Sequence, residues 1–202
     1  MQQIVVVHGG TTFKDNDAYL AYLSTKPVSI DRLVSKLFWK ERLQETLGDD
    51  YQVLLPSMPN KTNARYSEWA AWFTNISQVF TDDVILIGHS MGAIFLAKYL
   101  SENVTPYKIK GTVLIATPYD DESTEDLSDF KIESLTDALS EQAGRLVIIN
   151  GEDDPVIDIS DIEKYKQALS DAEFMTISAP DHFVREEFPE LVSLIHEIST
   201  KN

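Results

Sequence analysis

Short apolar runs recur along the chain, and each ends at residues that stop a strand. Residues 4–7 run into His8-Gly9-Gly10, 51–55 into Pro56, and 84–87 into Gly88. Residues 113–116 run into Thr117-Pro118, 146–149 into Asn150-Gly151, and 174–177 into Ser178-Ala179-Pro180. Most are β-branched and unalternating, the pattern of strands buried on both faces of a parallel sheet. Helical patterns lie between them. Residues 30–47 bring Leu33, Leu37, Trp39 and Leu43 close to one stripe and stop at Gly48, a natural residue after a helix end. Residues 64–80, 93–100, 162–169 and 190–198 are the other amphipathic segments, with a short helix around 18–23 before Pro27. Strands alternating with helices predict an α/β fold: a doubly wound, mostly parallel six-stranded sheet with helices on both faces, in a single domain spanning residues 1–202. Right-handed crossovers then line the loops after the strands along one edge, where such sheets bind ligands.

Charge narrows the partners. The 202 residues hold 17 Lys and Arg against 33 Asp and Glu, a net charge of −16. A polyphosphate backbone or an anionic membrane is repelled by that field, which argues against nucleic-acid and membrane roles. There is no cysteine, which excludes disulfides, thiolate metal sites and a cysteine nucleophile. No apolar run approaches the ~20 residues of a membrane span. Met1-Gln2-Gln3-Ile4 lacks the basic start of a signal peptide, so a cytoplasmic location is expected. The segment 119–129 carries six acids, Asp120, Asp121, Glu122, Glu125, Asp126 and Asp129. It reads as a solvated surface loop, with a flap over a site as the functional alternative.

The most informative residues are Gly88-His89-Ser90-Met91-Gly92, which leave one apolar strand and enter a helical run. This is G-x-S-x-G in the strand–turn–helix setting that gives the motif meaning. The turn is so tight that side chains two positions either side of the serine would collide. Ser90 Oγ then points out over the sheet edge, and Met91 N–H, at the helix start, faces a developing oxyanion.

A serine nucleophile needs a base, and the base an orienting acid. Of four histidines, His89 lies inside the elbow and His196 sits mid-helix at the surface. His8 ends the first strand in a glycine setting suited to another task. His182 follows the last strand by a few residues, where a loop carries the imidazole over the sheet edge. The acid is expected from the loop after the fifth strand, in the chain order Ser…Asp…His. That loop offers Glu152, Asp153 and Asp154. Spacing does not choose among them; Pro155 holds the residue before it extended, which favours Asp154 over its rival Asp153. In His8-Gly9-Gly10-Thr11 the glycines allow close backbone approach, and Gly10 or Thr11 N–H is the second candidate oxyanion donor. A phosphate-binding glycine loop fits less well, because neither of its usual spacings follows. Thr12, Phe13, Trp69, Tyr119 and Phe183 are candidate pocket walls.

With these residues, the chain resembles the α/β-hydrolase superfamily over nearly its whole length, and more narrowly the small serine hydrolases of the retinoblastoma-binding-protein (YdeN-like) type. The resemblance rests on Met58-Pro59-Asn60, Asn63-Ala64-Arg65 and Glu68-Trp69, on residues 88–94, on Gly151 with Asp153-Asp154-Pro155, and on His182-Phe183. It implies a compact hydrolase without a large lid domain, with Ser90 as nucleophile, Asp154 as acid and His182 as base, and with no metal and no organic cofactor. Two departures stand out. Residues 11–47 form a longer segment than the family expects, and Asp181 replaces a commoner glycine before the histidine. A carboxylate at that place favours a charged imidazole if it faces the ring. The expected activity is hydrolysis of a small ester or related acyl compound through an acyl-enzyme. A peptide-bond hydrolase and a protein-binding module that keeps the triad are the alternatives.

Overall fold

The computed structural model describes residues 1–121 and 126–200, with residues 31 and 32 described by backbone alone. The elements run β1 (Gln2–Val7), α1 (Asn16–Thr25), α2 (Ile30–Leu33), α3 (Trp39–Leu47), β2 (Tyr51–Leu54), α4 (Tyr66–Ile76), β3 (Val84–His89) and α5 (Met91–Glu102). They continue with β4 (Ile109–Ile115), α6 (Asp137–Gln142), β5 (Arg145–Gly151), α7 (Ile159–Ala168), β6 (Glu173–Ile177) and α8 (Pro189–Thr200). Among the described residues one sheet of six strands has the order β2-β1-β3-β4-β5-β6, and every neighbouring pair is parallel. The strand order reverses between β1 and β3, so the loops leaving those two strands diverge and open a crevice at their carboxyl ends.

Alternate strand residues feed two separate cores. Val5, Val7, Val84, Leu86, Leu114 and Ile148 pack with Trp69 and Phe73 of α4 and Phe95 of α5. Ile4, Val6, Ile85, Ile87, Val113 and Ile149 pack with Trp39 and Leu43 of α3 and with Leu191, Leu194 and Ile195 of α8. The side-chain period of two in a strand produces this division, and helices therefore cover both faces.

The segment 30–47 is not one helix. Leu33 and Leu37 are four residues apart, as are Trp39, Leu43 and Leu47, but the step from Leu37 to Trp39 is two residues. That step turns about 200° around a helix, so the two sets face opposite ways. Only the second set is buried, while Leu33 and Leu37 stay exposed. The chain accordingly breaks after α2 and restarts at α3, where the Glu41 carboxylate accepts the Phe38 N–H at 2.9 Å. β4 begins earlier than its apolar run because Gly111 interrupts the hydrophobic pattern. A Cβ there would lie 2.8 Å from Ile198 Cγ2, so α8 packs closely over this strand only because the position is glycine.

Residues 122–125, with Glu122 and Glu125, lie outside the described residues. The other acids of that segment are tied down rather than simply solvated. Asp120 pairs with Lys164 at 2.6 Å, Asp126 accepts the Lys14 N–H at 3.1 Å, and Asp129 accepts the Tyr66 N–H at 3.0 Å. Among the described residues no helix is long and apolar enough to cross a membrane, and no group of three or more His, Asp or Glu is placed to hold a metal ion.

Candidate active site

Ser90 occupies the sharp turn between β3 and α5, with φ 55° and ψ −123°. This is a left-handed backbone that a non-glycine residue adopts only under tertiary constraint. Its N–H donates to Ile115 O of β4 at 2.8 Å, and its carbonyl accepts the N–H of Ala93 at 2.8 Å. Both flanking glycines are sterically required, for different reasons. A Cβ on Gly88 would lie 2.5 Å from Gly92 O, inside the turn itself. A Cβ on Gly92 would instead strike Val7 O, because the start of α5 presses on the end of β1. Gly92→Ala is therefore expected to destabilise the protein by about 3 kcal/mol, the upper part of the usual overpacking range, as read by denaturant unfolding. An unchanged midpoint would show that the β1 end moves aside freely.

The loop after β6 brings His182 over this turn. Its Nε2 lies 3.0 Å from Ser90 Oγ, and its Nδ1 lies 2.9 Å from both carboxylate oxygens of Asp154. The Asp154 side chain is fully buried. Burial by itself pushes this carboxyl up, but the His182 hydrogen bond and the N–H groups of Val156 and Ile157 outweigh it and hold Asp154 below the usual carboxylate range. Gly151 permits the approach, since a Cβ there would stand 2.9 Å from Asp154 Cβ. The three carboxylates of this loop separate by partner. Asp153 accepts the Ala179 N–H at 2.6 Å and the Ser178 hydroxyl at 3.1 Å, so it fastens the start of the His182 loop. Glu152 is exposed. Asp181 turns to Arg185 at 2.5 Å and to the Phe183 N–H at 3.1 Å; its charge is spent on that pair rather than on the imidazole.

On the other side of the serine, a Cβ on Gly9 would stand 3.3 Å from Ser90 Cβ, and one on Gly10 would stand 2.7 Å from Lys61 O. The loop after β1 thus runs close against Ser90 at Gly9 and against Lys61 at Gly10. Thr11 N–H is already committed to Lys61 O at 2.8 Å, which leaves Gly10 N–H of the two candidate donors there. A cavity of about 240 Å³ opens beside Met91, lined by Thr11, Thr12, Phe13, Tyr22 and Asp126. Thr12 and Phe13 are walls as expected from the sequence. Trp69 and Phe183 are not, since both are fully buried in the two cores. Tyr119 packs edge-on against Tyr165, with ring centres 5.0 Å apart, and does not line this cavity either.

A profile of the serine hydrolase family matches residues 34–190. The chain belongs to that family. The ydeN gene product of B. subtilis shares the fold with a TM-score of 0.74 at 17% identity, covering 100% of both chains. A putative YdeN-like hydrolase from Pectobacterium atrosepticum follows at 0.65 and 17% identity, with 98% of this chain and 91% of that one covered. Polyneuridine aldehyde esterase gives 0.61 at 14% identity, over 98% and 99%. At such identities the likeness speaks for an α/β-hydrolase fold and no more. No curated protein sequence matches the chain significantly.

The remaining histidines of this serine hydrolase have separate tasks. His8 Nε2 accepts the Met58 N–H at 2.9 Å while Nδ1 sits 2.6 Å from Gly9 O, so this ring ties two loops of the crevice together. His196 is exposed and contacts the Tyr51 hydroxyl at 2.8 Å. His89 is buried, and its Nδ1 faces Lys40 Nζ at 3.0 Å. Sequence patterning gave no sign of Lys40, which is one of many lysines on amphipathic helices. Burial lowers the Lys40 ammonium to about 8, against a small opposing effect of Glu41. An unfolded lysine titrates near 10.4, so between about 8 and 10 the unfolded chain binds more protons at this residue, and its contribution to stability rises with pH. Unfolding free energy measured from pH 7.5 to 10 is expected to show a smaller upward slope in Lys40→Met than in the parent protein. Identical slopes would place the ammonium in water.

Proposed function

We propose that this hydrolase cleaves small esters or related acyl compounds through an acyl-enzyme on Ser90. The observation that carries the reading is the unbroken chain from Ser90 Oγ to His182 Nε2 at 3.0 Å and from Nδ1 to a buried Asp154 at 2.9 Å. Ser90 Oγ attacks the acyl carbon while His182 Nε2 takes its proton. The tetrahedral oxyanion lies between the N–H groups of Met91 and Gly10, the first at the positive end of α5. Collapse breaks the bond to the leaving alcohol, which receives the proton from His182 and departs, leaving a serine ester. Water then gives a proton to the same nitrogen, attacks the ester carbon, and releases the carboxylic acid as Ser90 regains its hydrogen. Asp154 holds the imidazole in the required tautomer and stabilises its charged form. None of these steps calls for a metal or organic cofactor.

The cavity beside Met91, walled by Thr11, Thr12, Phe13 and Tyr22, is the candidate place for the acyl group, and the lack of long apolar insertions favours a short one. The test is a fluorophosphonate probe followed by peptide mapping, beside a series of p-nitrophenyl esters and an aminopeptidase substrate panel. Labelling on Ser90 with turnover of the short esters is the expected result. Absence of labelling would turn the reading toward a binding module, and turnover of the amides alone would turn it toward peptide hydrolysis.

A further inference from the structure

The His182 loop holds a backbone shape that it would not keep unaided. His182 and Phe183 are successive residues with positive φ, 52° and 55°, a region rarely adopted by residues with side chains. Their two carbonyls are fixed from outside the loop. Trp39 Nε1 donates to Phe183 O at 3.0 Å, and His89 Nε2 lies 2.9 Å from His182 O. Trp39 N–H also donates to Arg185 O at 2.9 Å, so the first turn of α3 grips the loop at two points.

His89 can hold a carbonyl only if its proton is on Nε2. The partner of its other nitrogen decides that. Lys40 Nζ is 3.0 Å from Nδ1, and an ammonium has hydrogens to give but no lone pair to offer. Nδ1 must then accept, which leaves Nε2–H directed at His182 O. Lys40 also lies 4.8 Å over the Trp39 ring, so one side chain braces both donors. We propose that Lys40 and His89 are positioning residues for His182: Lys40 fixes His89 as the Nε2–H tautomer, and His89 anchors the His182 backbone so that its imidazole spans Ser90 and Asp154. The longer segment 11–47, which supplies α3, thus has a task at the site. The charged and titratable groups acting on this pair are Glu41 beside Lys40 on α3, and His182 and His8 across the crevice. Burial and the neighbouring ammonium both oppose a second proton on His89, in keeping with a neutral ring.

The inference rests on His182 being the base, but its first test does not. Nitrogen-15 spectra of the full chain are expected to show His89 with a protonated Nε2 and a bare Nδ1, unchanged from pH 5.5 to 7, where Lys40 is charged. In Lys40→Met, where burial still keeps the ring neutral, the bare Nδ1 signal is expected to move downfield as it loses the hydrogen bond from Nζ. A parent spectrum with Nδ1 protonated, or a Lys40→Met spectrum identical to it, overturns the proposal whether or not the protein is an esterase. The second test uses p-nitrophenyl acetate. His89→Leu is expected to lower kcat by about 10- to 100-fold, the scale of a misplaced catalytic group, with KM nearly unchanged. His89→Gln, whose amide can still donate to His182 O, is expected to recover most of that loss. Equal impairment of the two variants with intact cooperative unfolding would make His89 a packing residue and overturn the proposal. Should His89→Leu fail to fold, Lys40→Met carries the kinetic test, since an unbranched chain of similar length stands in for the lysine; an unchanged kcat there also overturns it.

Discussion

Replacing Ser90 with alanine is expected to reduce ester turnover by at least about 10³-fold, because attack by Oγ is the step through which the proposed reaction passes. The fold should survive. Ser90 Oγ hydrogen-bonds to His182, the backbone hydrogen bonds of the turn involve N–H and carbonyl rather than the hydroxyl, and alanine keeps the Cβ. The variant should therefore unfold cooperatively near the parent midpoint while failing to take up a fluorophosphonate. Parent-like turnover in purified Ser90→Ala protein would remove Ser90 from the chemistry altogether.

The second large effect separates two adjacent carboxylates. Asp154→Asn is expected to lower kcat by roughly 10⁴-fold, the scale seen when an orienting aspartate is made neutral in a serine triad. An amide cannot accept from Nδ1 on both atoms, and it no longer stabilises the charged imidazole that forms as Ser90 loses its proton. Asp153→Asn keeps a carbonyl oxygen for the Ala179 N–H and should stay within a few-fold of the parent. Equal losses, or the reverse order, would show that the acid is Asp153. Stability adds an independent check with a definite sign. The folded-state Asp154 carboxyl is held below its ordinary range, so the unfolded chain takes up its proton first as pH falls. The stabilisation from Asp154 is full above the unfolded value of about 3.9 and is lost as pH drops through the folded one. The difference in unfolding free energy between parent and Asp154→Asn should thus narrow in acid. A constant difference down to pH 2.5 would argue that the carboxylate is not held by these hydrogen bonds.

Local patterning reached far along this chain wherever one residue's constraint is short-range. Six apolar runs with strand-stopping ends place the strands, and their lack of alternation places both faces of the sheet in contact with helices. Gly88 and Gly92 around Ser90 announce the turn because no other residue fits so close a backbone. The expected chain order Ser…Asp…His directs attention to three loops that emerge at one edge. Patterning failed where phase or packing was decided at a distance. The two-residue step from Leu37 to Trp39 puts Leu33 and Leu37 out of phase with Trp39 and Leu43, but only α8 and the sheet determine which pair is covered. Gly111 hides the start of β4 in the sequence because its reason for being glycine is Ile198, far along the chain.

The sequence by itself determined the parallel α/β architecture, the elbow, and a short set of titratable residues from which a site could be built. Only the tertiary structure separated Asp154 from Asp153, turning one to the His182 ring and the other to the backbone after β6. It alone gave Asp181 to Arg185, withdrew Trp69 and Phe183 from the pocket, joined Trp39 to a loop more than a hundred residues away, and set Lys40 against His89. The physical reason is the reach of the forces. Steric limits on φ and ψ and the periodicity of burial act over a few residues and leave a mark in local order. The choice of hydrogen-bond partner is made between elements that meet only after the sheet has formed, and neighbouring residues along the chain carry no trace of it.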